Sequence, residues 1–356
     1  MSKLFEPITL RSLTVRNRVW LAPMCQYSAT DGVPHDWHLV HLGARATGGF
    51  GLVLTEAAAV VPEGRITPGD AGIWNDEQKV AWTRIVEFVH SQGAAIGVQL
   101  AHAGRKASTY RPWAESEGSV PETEGGWQTR APSDVPFPGY AEPAELSPEE
   151  IADVVRVFAE ATTRAVEAGF DTVEVHAAHG YLLHQFLSPL SNHREDEYGG
   201  SFDNRVRLVL ETVDAVRAAL PDTAPLLVRI SATDWIEGGW DLEQSTRLGV
   251  LLKERGVDLV DVSSGGNAPA SIPVEPGYQV PLAAGVREAG LPTGAVGLIT
   301  EPQQAEKIVA NGEADVVLLA RASLRESAWP LRAAHELGVA PDEAPWPDQY
   351  TRAHWR

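Results

Sequence analysis

Ser147 to His176 reads SPEEIADVVRVFAEATTRAVEAGFDTVEVH. Ser147, Pro148 and Glu150 make a capping box with proline in the first turn, which predicts a helix over Glu149–Ala168. Gly169 follows, the residue for which a left-handed helix cap is cheapest. Thr172–His176 is then a short run rich in β-branched residues, the pattern of a buried strand. One helix handed directly to one strand is half of a βαβ unit.

The same unit recurs along the chain. Further strand-like runs lie at Val19–Ala22, Leu52–Ala57, Ala95–Ala101, Leu226–Ser231, Leu259–Ser263, Ala295–Ile299 and Asp315–Arg321, eight in all with Thr172–His176. Helical patterns separate most of them, at Asn75–Ser91, Asn204–Ala219, Leu242–Arg255 and Pro302–Ala310, the last with Thr300 as its capping residue. Gly93, Gly256 and Gly312 mark helix ends as Gly169 does. Eight alternations predict an α/β fold of the (β/α)8 TIM-barrel class. Two stretches fall outside the repeat. Leu4–Arg18 alternates as a hairpin that would plug the bottom of the barrel. His102–Leu146, about 45 residues rich in Gly, Pro, Ser, Glu and Trp, far exceeds an ordinary strand-to-helix connection of roughly 2–6 residues and predicts a lid. Residues 1–356 are expected to form one domain, a size usual for this barrel class.

Composition narrows the class. Charged residues make up 22% and hydrophobic residues 44%, an ordinary globular balance with no long apolar run. The N-terminus lacks a secretory signal pattern, so a cytoplasmic location is expected. A net charge of −19 disfavours nucleic acid and anionic lipid as partners and favours a small molecule. The single cysteine, Cys25, rules out an internal disulfide and a protein-ligated iron–sulfur cluster, which needs about four thiolates.

Alternate strand residues face opposite sides. By that rule Gln99, between Val98 and Leu100, His176, after Val175, and Arg229, between Val228 and Ile230, point inward near the C-terminal ends of their strands. Each has a structural reading: a satisfied core amide, a buried histidine, an ion pair. An unpaired buried polar group costs on the order of 2–5 kcal/mol, so three at one level require a polar ligand or a dedicated network. His176 and His179 also form a His-x-x-His spacing that invites a metal, but no third ligand is evident and no metal is expected.

The exit of the fourth strand continues His176-Ala177-Ala178-His179-Gly180-Tyr181-Leu182-Leu183-His184-Gln185-Phe186-Leu187-Ser188-Pro189, followed by Asn192-His193-Arg194-Glu195-Asp196-Glu197-Tyr198-Gly199-Gly200-Ser201-Phe202-Asp203-Asn204-Arg205. These stretches resemble the old yellow enzyme family, flavoenzymes that reduce α,β-unsaturated carbonyls. Ala22-Pro23-Met24-Cys25-Gln26-Tyr27-Ser28, with cysteine in place of the usual threonine, and His179 in place of asparagine, are similar to its thermophilic-like bacterial branch. The resemblance implies a tightly bound, non-covalent FMN lined by Ala22, Pro23, Met24, Cys25, Ala57, Gln99 and Arg229, with Gly297, Ala320 and Arg321 at the phosphate. Ala320 departs from the glycine common in relatives and brings a methyl toward that phosphate. It further implies His176 and His179 as donors to the substrate oxygen, Tyr181 as proton donor, Tyr27 over the substrate and Cys25 as a tuner of the flavin. NADPH or NADH serves as reductant. Arg352, in the tail Trp346–Arg356, is implied to reach a neighbouring active site in a homodimer or homotetramer.

The expected activity is therefore that of an ene-reductase, an NADPH dehydrogenase acting on α,β-unsaturated carbonyls, maleimides or nitroalkenes. A metal-dependent barrel hydrolase and a non-catalytic flavin-binding protein are the alternatives. No Gly-x-Gly-x-x-Gly dinucleotide fingerprint is present to choose between NADPH and NADH.

Overall fold

A computed structural model describes residues 2–355. The chain opens with a hairpin, β1 (Ile8–Leu10) and β2 (Leu13–Val15), and enters the barrel at β3 (Val19–Leu21). Then come α1 (Asp36–Thr47), β4 (Leu52–Ala59), α2 (Asp76–Ser91), β5 (Ala95–Ala101), two short strands β6 (Arg130–Ala131) and β7 (Ala144–Glu145), α3 (Pro148–Ala168) and β8 (Thr172–Ala177). The second half runs α4 (Leu182–Leu187), α5 (Phe202–Ala219), β9 (Leu226–Ser231), α6 (Leu242–Glu254), β10 (Leu259–Ser263), α7 (Val280–Arg287), β11 (Thr293–Ala295), α8 (Pro302–Ala310), β12 (Val316–Leu319), α9 (Arg321–Arg325) and α10 (Trp329–Glu336). Strands β3, β4, β5, β8, β9, β10, β11 and β12 close in that order into a parallel barrel. This is the expected (β/α)8 TIM barrel.

The local signals explain most boundaries. Ser147 caps α3 through the Glu150 amide with the Glu150 side chain returning the bond, and Gly169 closes it at φ +92°. Asn75 caps α2 in the same reciprocal way with Gln78. Four expectations need correction. The seventh barrel strand is Thr293–Ala295 rather than Ala295–Ile299: Gly297 at φ +112° and Leu298 at φ +51° turn the chain out of the extended conformation just after Val296. The eighth is shorter than expected, Val316–Leu319, because Ala320 opens α9 with Arg321 already helical. Thr300 does not cap α8: Glu301 holds that position without a side-chain bond, and the Thr300 amide donates to Gln304 Oε1 at 3.1 Å. Helix α1 was not expected at all.

Hydrophobic burial sorts into two layers. The larger joins the outward strand faces to the helices; the smaller fills the barrel's lower half with Leu10, Val15, Trp20, Leu52, Leu54, Leu227, Leu259, Val316 and Leu318. Leu10 and Val15 come from the hairpin, which therefore plugs the bottom. Each such aliphatic side chain contributes about 1.5–3 kcal/mol on leaving water. The 102–146 segment lies over the opposite end, fastened by Trp127, whose indole N–H donates to the Glu63 carbonyl at 2.8 Å. The Arg65 guanidinium sits between the rings of Trp74 and Trp127, at 5.5 and 4.9 Å.

Candidate active site

Above the apolar floor the strands turn polar. Gln99 on β5 stands level with Glu174 on β8, and Arg229 on β9 with Asp261 on β10. Gln99 Nε2 donates to Glu174 Oε1 at 2.7 Å, and Arg229 Nε lies 3.0 Å from Asp261 Oδ2. All four are buried. Gln99, His176 and Arg229 thus face inward as read from the sequence, and a dedicated network meets two of them. Glu174 and Asp261 were missed, although Glu174 is two residues before His176 and the same alternation rule finds it.

One pleat higher, His176 and His179 meet edge to face with ring centroids 5.3 Å apart, and Tyr181 stands 5.1 Å from His176. The turn that brings them together is tightly held. His179 and Gly180 are both left-handed, at φ +58° and +73°, and a Cβ on Gly180 would come within 2.2 Å of the Gly266 carbonyl oxygen. Left-handed backbone is costly outside glycine and persists only where its surroundings hold it. Here they do: the His179 amide donates to Ser231 Oγ, the Gly180 amide to His184 Nδ1, and Lys106 Nζ to the His179 and Gly266 carbonyls. His184 is itself fixed by Asp234, 3.1 Å away and fully buried.

Burial, with Arg229 next, holds both His176 and His179 well below the usual imidazole range, so both rings are neutral. His176 Nδ1 is buried without a partner. His179 Nε2 lies 2.7 Å from Ser263 Oγ. Burial also pushes the Tyr181 phenol well above its ordinary value. Lys106, held at about 8 by burial and by Arg105, carries its ammonium 5.1 Å from the Tyr181 ring centre. Nothing in the periodicity singles out Lys106, which ends the single 3-10 turn Gly104–Lys106 after β5.

The remaining predicted residues fall into three groups. Ala22, Pro23, Met24 and Cys25 leave the top of β3, and Ala57 of β4 pairs in register with Gln99. Cys25, Tyr27, Trp127 and Tyr181 pack together around Ile66, Ala103 and Ala107, and burial raises the Cys25 thiol. Tyr27, Lys106 and Tyr181 line a mouth cavity of about 440 Å³ together with residues of the 102–146 segment that include Arg111 and Tyr140. Gly297, Ala320 and Arg321 line a second cavity, of about 190 Å³, with Gln279 and Arg325. Arg352 is exposed in the turn Asp348–Ala353 and is not among the residues lining either cavity. Among the described residues no set of three or more His, Cys, Asp or Glu is arranged to hold a metal ion, and no helix is long and apolar enough to cross a membrane.

The profile of the NADH:flavin oxidoreductase / NADH oxidase family matches residues 3–339. A protein of Geobacillus thermodenitrificans named NADPH dehydrogenase is 48% identical over 357 residues, covering 99% of this chain and 98% of that one. Among solved structures, morphinone reductase in complex with tetrahydroNAD superposes with a TM-score of 0.79 at 30% identity, over 99% of this chain and 94% of that one. A 2-naphthoyl-CoA reductase complex superposes at 0.85 and 26% identity; this chain spans 53% of that longer protein.

Proposed function

Because the chain belongs to the NADH:flavin oxidoreductase / NADH oxidase family, whose members work with FMN and NAD(P)H, we propose that it reduces the activated C=C bond of α,β-unsaturated carbonyls, maleimides or nitroalkenes. The observation that carries the reading is the pair of neutral histidines beside Tyr181, at the mouth of a barrel whose next layer down holds a buried guanidinium.

The residues suit the cofactor. Asp261 takes only the Nε edge of Arg229, which leaves the other guanidinium nitrogens for a ligand, and the cavity walled by Gly297, Ala320, Arg321 and Arg325 suits a phosphate. Ala22, Pro23, Met24, Cys25, Ala57 and Gln99 would complete the flavin's surroundings. When bound, FMN supplies the hydride delivered to the substrate's β-carbon, after taking one from NAD(P)H. Arg229 cannot deprotonate and so offers a fixed positive charge to a ring that gains electrons.

His176 and His179 donate to the substrate's carbonyl or nitro oxygen and draw electrons from the double bond. Being neutral, each imidazole has one N–H to give. Ser263 Oγ lies 2.7 Å from His179 Nε2 and 3.3 Å from Gln279 Oε1, which also accepts from Ser264 Oγ at 2.5 Å, so the one Ser263 hydroxyl hydrogen has two acceptors within reach. Donation to His179 Nε2 leaves that ring's proton on Nδ1, available to the substrate. Tyr181, protonated at neutral pH, gives its proton to the α-carbon, and Tyr27 covers the substrate from the lid side. The whole chain works as one domain with 102–146 as the lid, and Arg352 completes a neighbouring site in a homo-oligomer.

The test is anaerobic. The FMN-loaded protein is mixed with NADPH and then with 2-cyclohexenone. The flavin absorbance is expected to bleach and then recover; a flavin that bleaches and stays bleached would refute the ene-reductase reading.

A further inference from the structure

The polar layer beneath the histidines holds one positive charge and two acids. Glu174 and Asp261 are fully buried, Gln99 and Arg229 nearly so, and the floor below is leucine, valine and tryptophan. Arg229 Nε lies 3.0 Å from Asp261 Oδ2, a charge contact without hydrogen-bond geometry; Glu174 touches no cation and receives only the Gln99 amide, and Glu174 Oε2 and both Asp261 oxygens lack a hydrogen-bond partner. The other barrel strands add no charge here: the inward residues are Trp20 and Ala22 on and after β3, Leu54 and Ala57 on β4, Gly294 and Val296 on and after β11, and Leu318 and Ala320 on and after β12. His176, above on β8, is neutral. With both acids ionised the chamber would hold a net negative charge, two carboxylates against the one guanidinium of Arg229. An uncompensated buried charge of that kind costs several kcal/mol, which a bound proton removes.

We propose that Glu174 carries a proton that Asp261 does not, and that this carboxyl is the layer's proton acceptor when the flavin above it is reduced. The proposal rests on the reading that FMN lies against Gln99 and Arg229. Burial raises the Asp261 carboxyl too, but the Arg229 guanidinium opposes it, and that contact keeps Asp261 the carboxylate. Burial first, then the charge of Asp261, push the Glu174 carboxyl up to about 8, against Arg229 and Gln99. Below that pH, reduction takes two electrons and one proton onto the ring and leaves Glu174 as it was. Above it, the oxidised protein holds Glu174 as carboxylate. Reduction then places a second negative charge in the chamber, and Glu174 takes a proton from solvent, so that two electrons enter with two protons.

Two readouts test this without turnover. In the flavin-free protein at pH 7, infrared spectroscopy is expected to show the carbonyl band of a buried protonated carboxyl, lost in Glu174→Gln. Absence of the band, or its survival in the variant, overturns the assignment. In the FMN-loaded protein the midpoint potential is followed against pH. One pH unit is tenfold in proton activity, about 30 mV per proton for a two-electron couple. The slope of the wild type is expected to double above pH ~8, from about 30 to about 60 mV per pH unit, and that of Glu174→Gln to stay single throughout. A single slope in the wild type overturns the coupling, and a break that persists in Glu174→Gln assigns the second proton elsewhere and overturns it as well. Should Glu174→Gln fail to fold, Glu174→Met, neutral and similar in length, carries the same expectations. Unchanged FMN affinity in Gln99→Ala marks the other failure: the flavin then lies elsewhere and the coupling falls with it, while the infrared result stands on its own.

Discussion

The same strands build two unlike chambers. At the bottom, Leu227, Leu259, Trp20, Leu54 and Leu318 interdigitate with the hairpin's Leu10 and Val15, with no charged group among them. Two residues further along, β9 presents Arg229 in place of Leu227, and β10 presents Asp261 in place of Leu259. The lower chamber satisfies itself by packing. The upper one leaves polar atoms without partners, among them His176 Nδ1 and Glu174 Oε2. Buried polar groups are nearly always paired, so the contrast locates the functional end of the barrel without reference to any ligand. It also separates two kinds of mutant: those that cost fold and those that cost chemistry.

The largest expected effect breaks chemistry alone. Tyr181→Phe removes a phenol that lines the mouth cavity and makes no hydrogen bond through its hydroxyl in the structure, so thermal stability should stay near that of the wild type. A positioned general acid is worth about 10²–10⁴-fold. Rapid-reaction measurements should show that loss in flavin reoxidation by 2-cyclohexenone, with flavin reduction by NADPH unaltered. An equal loss in both half-reactions would assign Tyr181 to the flavin's environment instead of to proton transfer.

The converse mutant breaks fold alone. Leu227→Ala empties part of the lower chamber and should cost about 2–5 kcal/mol in denaturant unfolding. The steady-state constants of the folded fraction should stay within about twofold of the wild type if the two chambers are independent. A large change in KM would show that the floor sets the position of the layer above it.

The contrast also explains what could be read from residues alone. The barrel was legible because buried parallel strands need aliphatic runs and the helices between them need caps; Ser147, Pro148, Glu150 and Gly169 delimit α3 to within a residue. Strand seven was misplaced because the apolar run continues through Val296 and Ile299 while Gly297 and Leu298 bend the backbone, and hydrophobicity does not report φ. Helix α1 was hidden because its cap is His35, accepting from the Trp37 amide, a residue type seldom found in that role. Within the site, alternation located Gln99, His176 and Arg229 on their own strands. It did not show that Glu174 and Asp261 answer two of them, since that pairing depends on which strands become neighbours. Lys106 and Ser263 act from loop and strand end through distances that no sequence period encodes.

A smaller effect is expected from Ser263→Ala. Ser263 touches His179 Nε2 and, at 3.3 Å, Gln279 Oε1, and its loss frees the imidazole to carry the proton on either nitrogen. Roughly a tenfold fall in kcat/KM for enones, or ~1.4 kcal/mol, is the scale of one such hydrogen bond. Ser263→Thr, which keeps the hydroxyl, should recover most of it. Similar losses in both variants would point to packing and not to the tautomer.

The smallest effect is a slope. The floor cluster contains no titratable group whereas the polar side does, and His102 isolates one of its terms. It is buried at the start of the 102–146 segment, accepts the Gly104 amide on Nδ1, and burial holds it at about 4. Its unfolded value is about 6.5. Between those two values the unfolded chain binds a proton there that the folded chain does not, so the unfolding free energy rises with pH across that window and is fully present above ~6.5. Falling pH therefore removes stability, at about 1.4 kcal/mol per pH unit for one group. His102→Gln, which cannot protonate, should flatten the measured stability profile between pH 6.5 and 4.5 by about one proton, and Leu227→Ala should run parallel to the wild type over the same range. A Leu227→Ala profile that changes slope would mean that the two chambers exchange charge and packing after all, and that the boundary between them is not where the side chains put it.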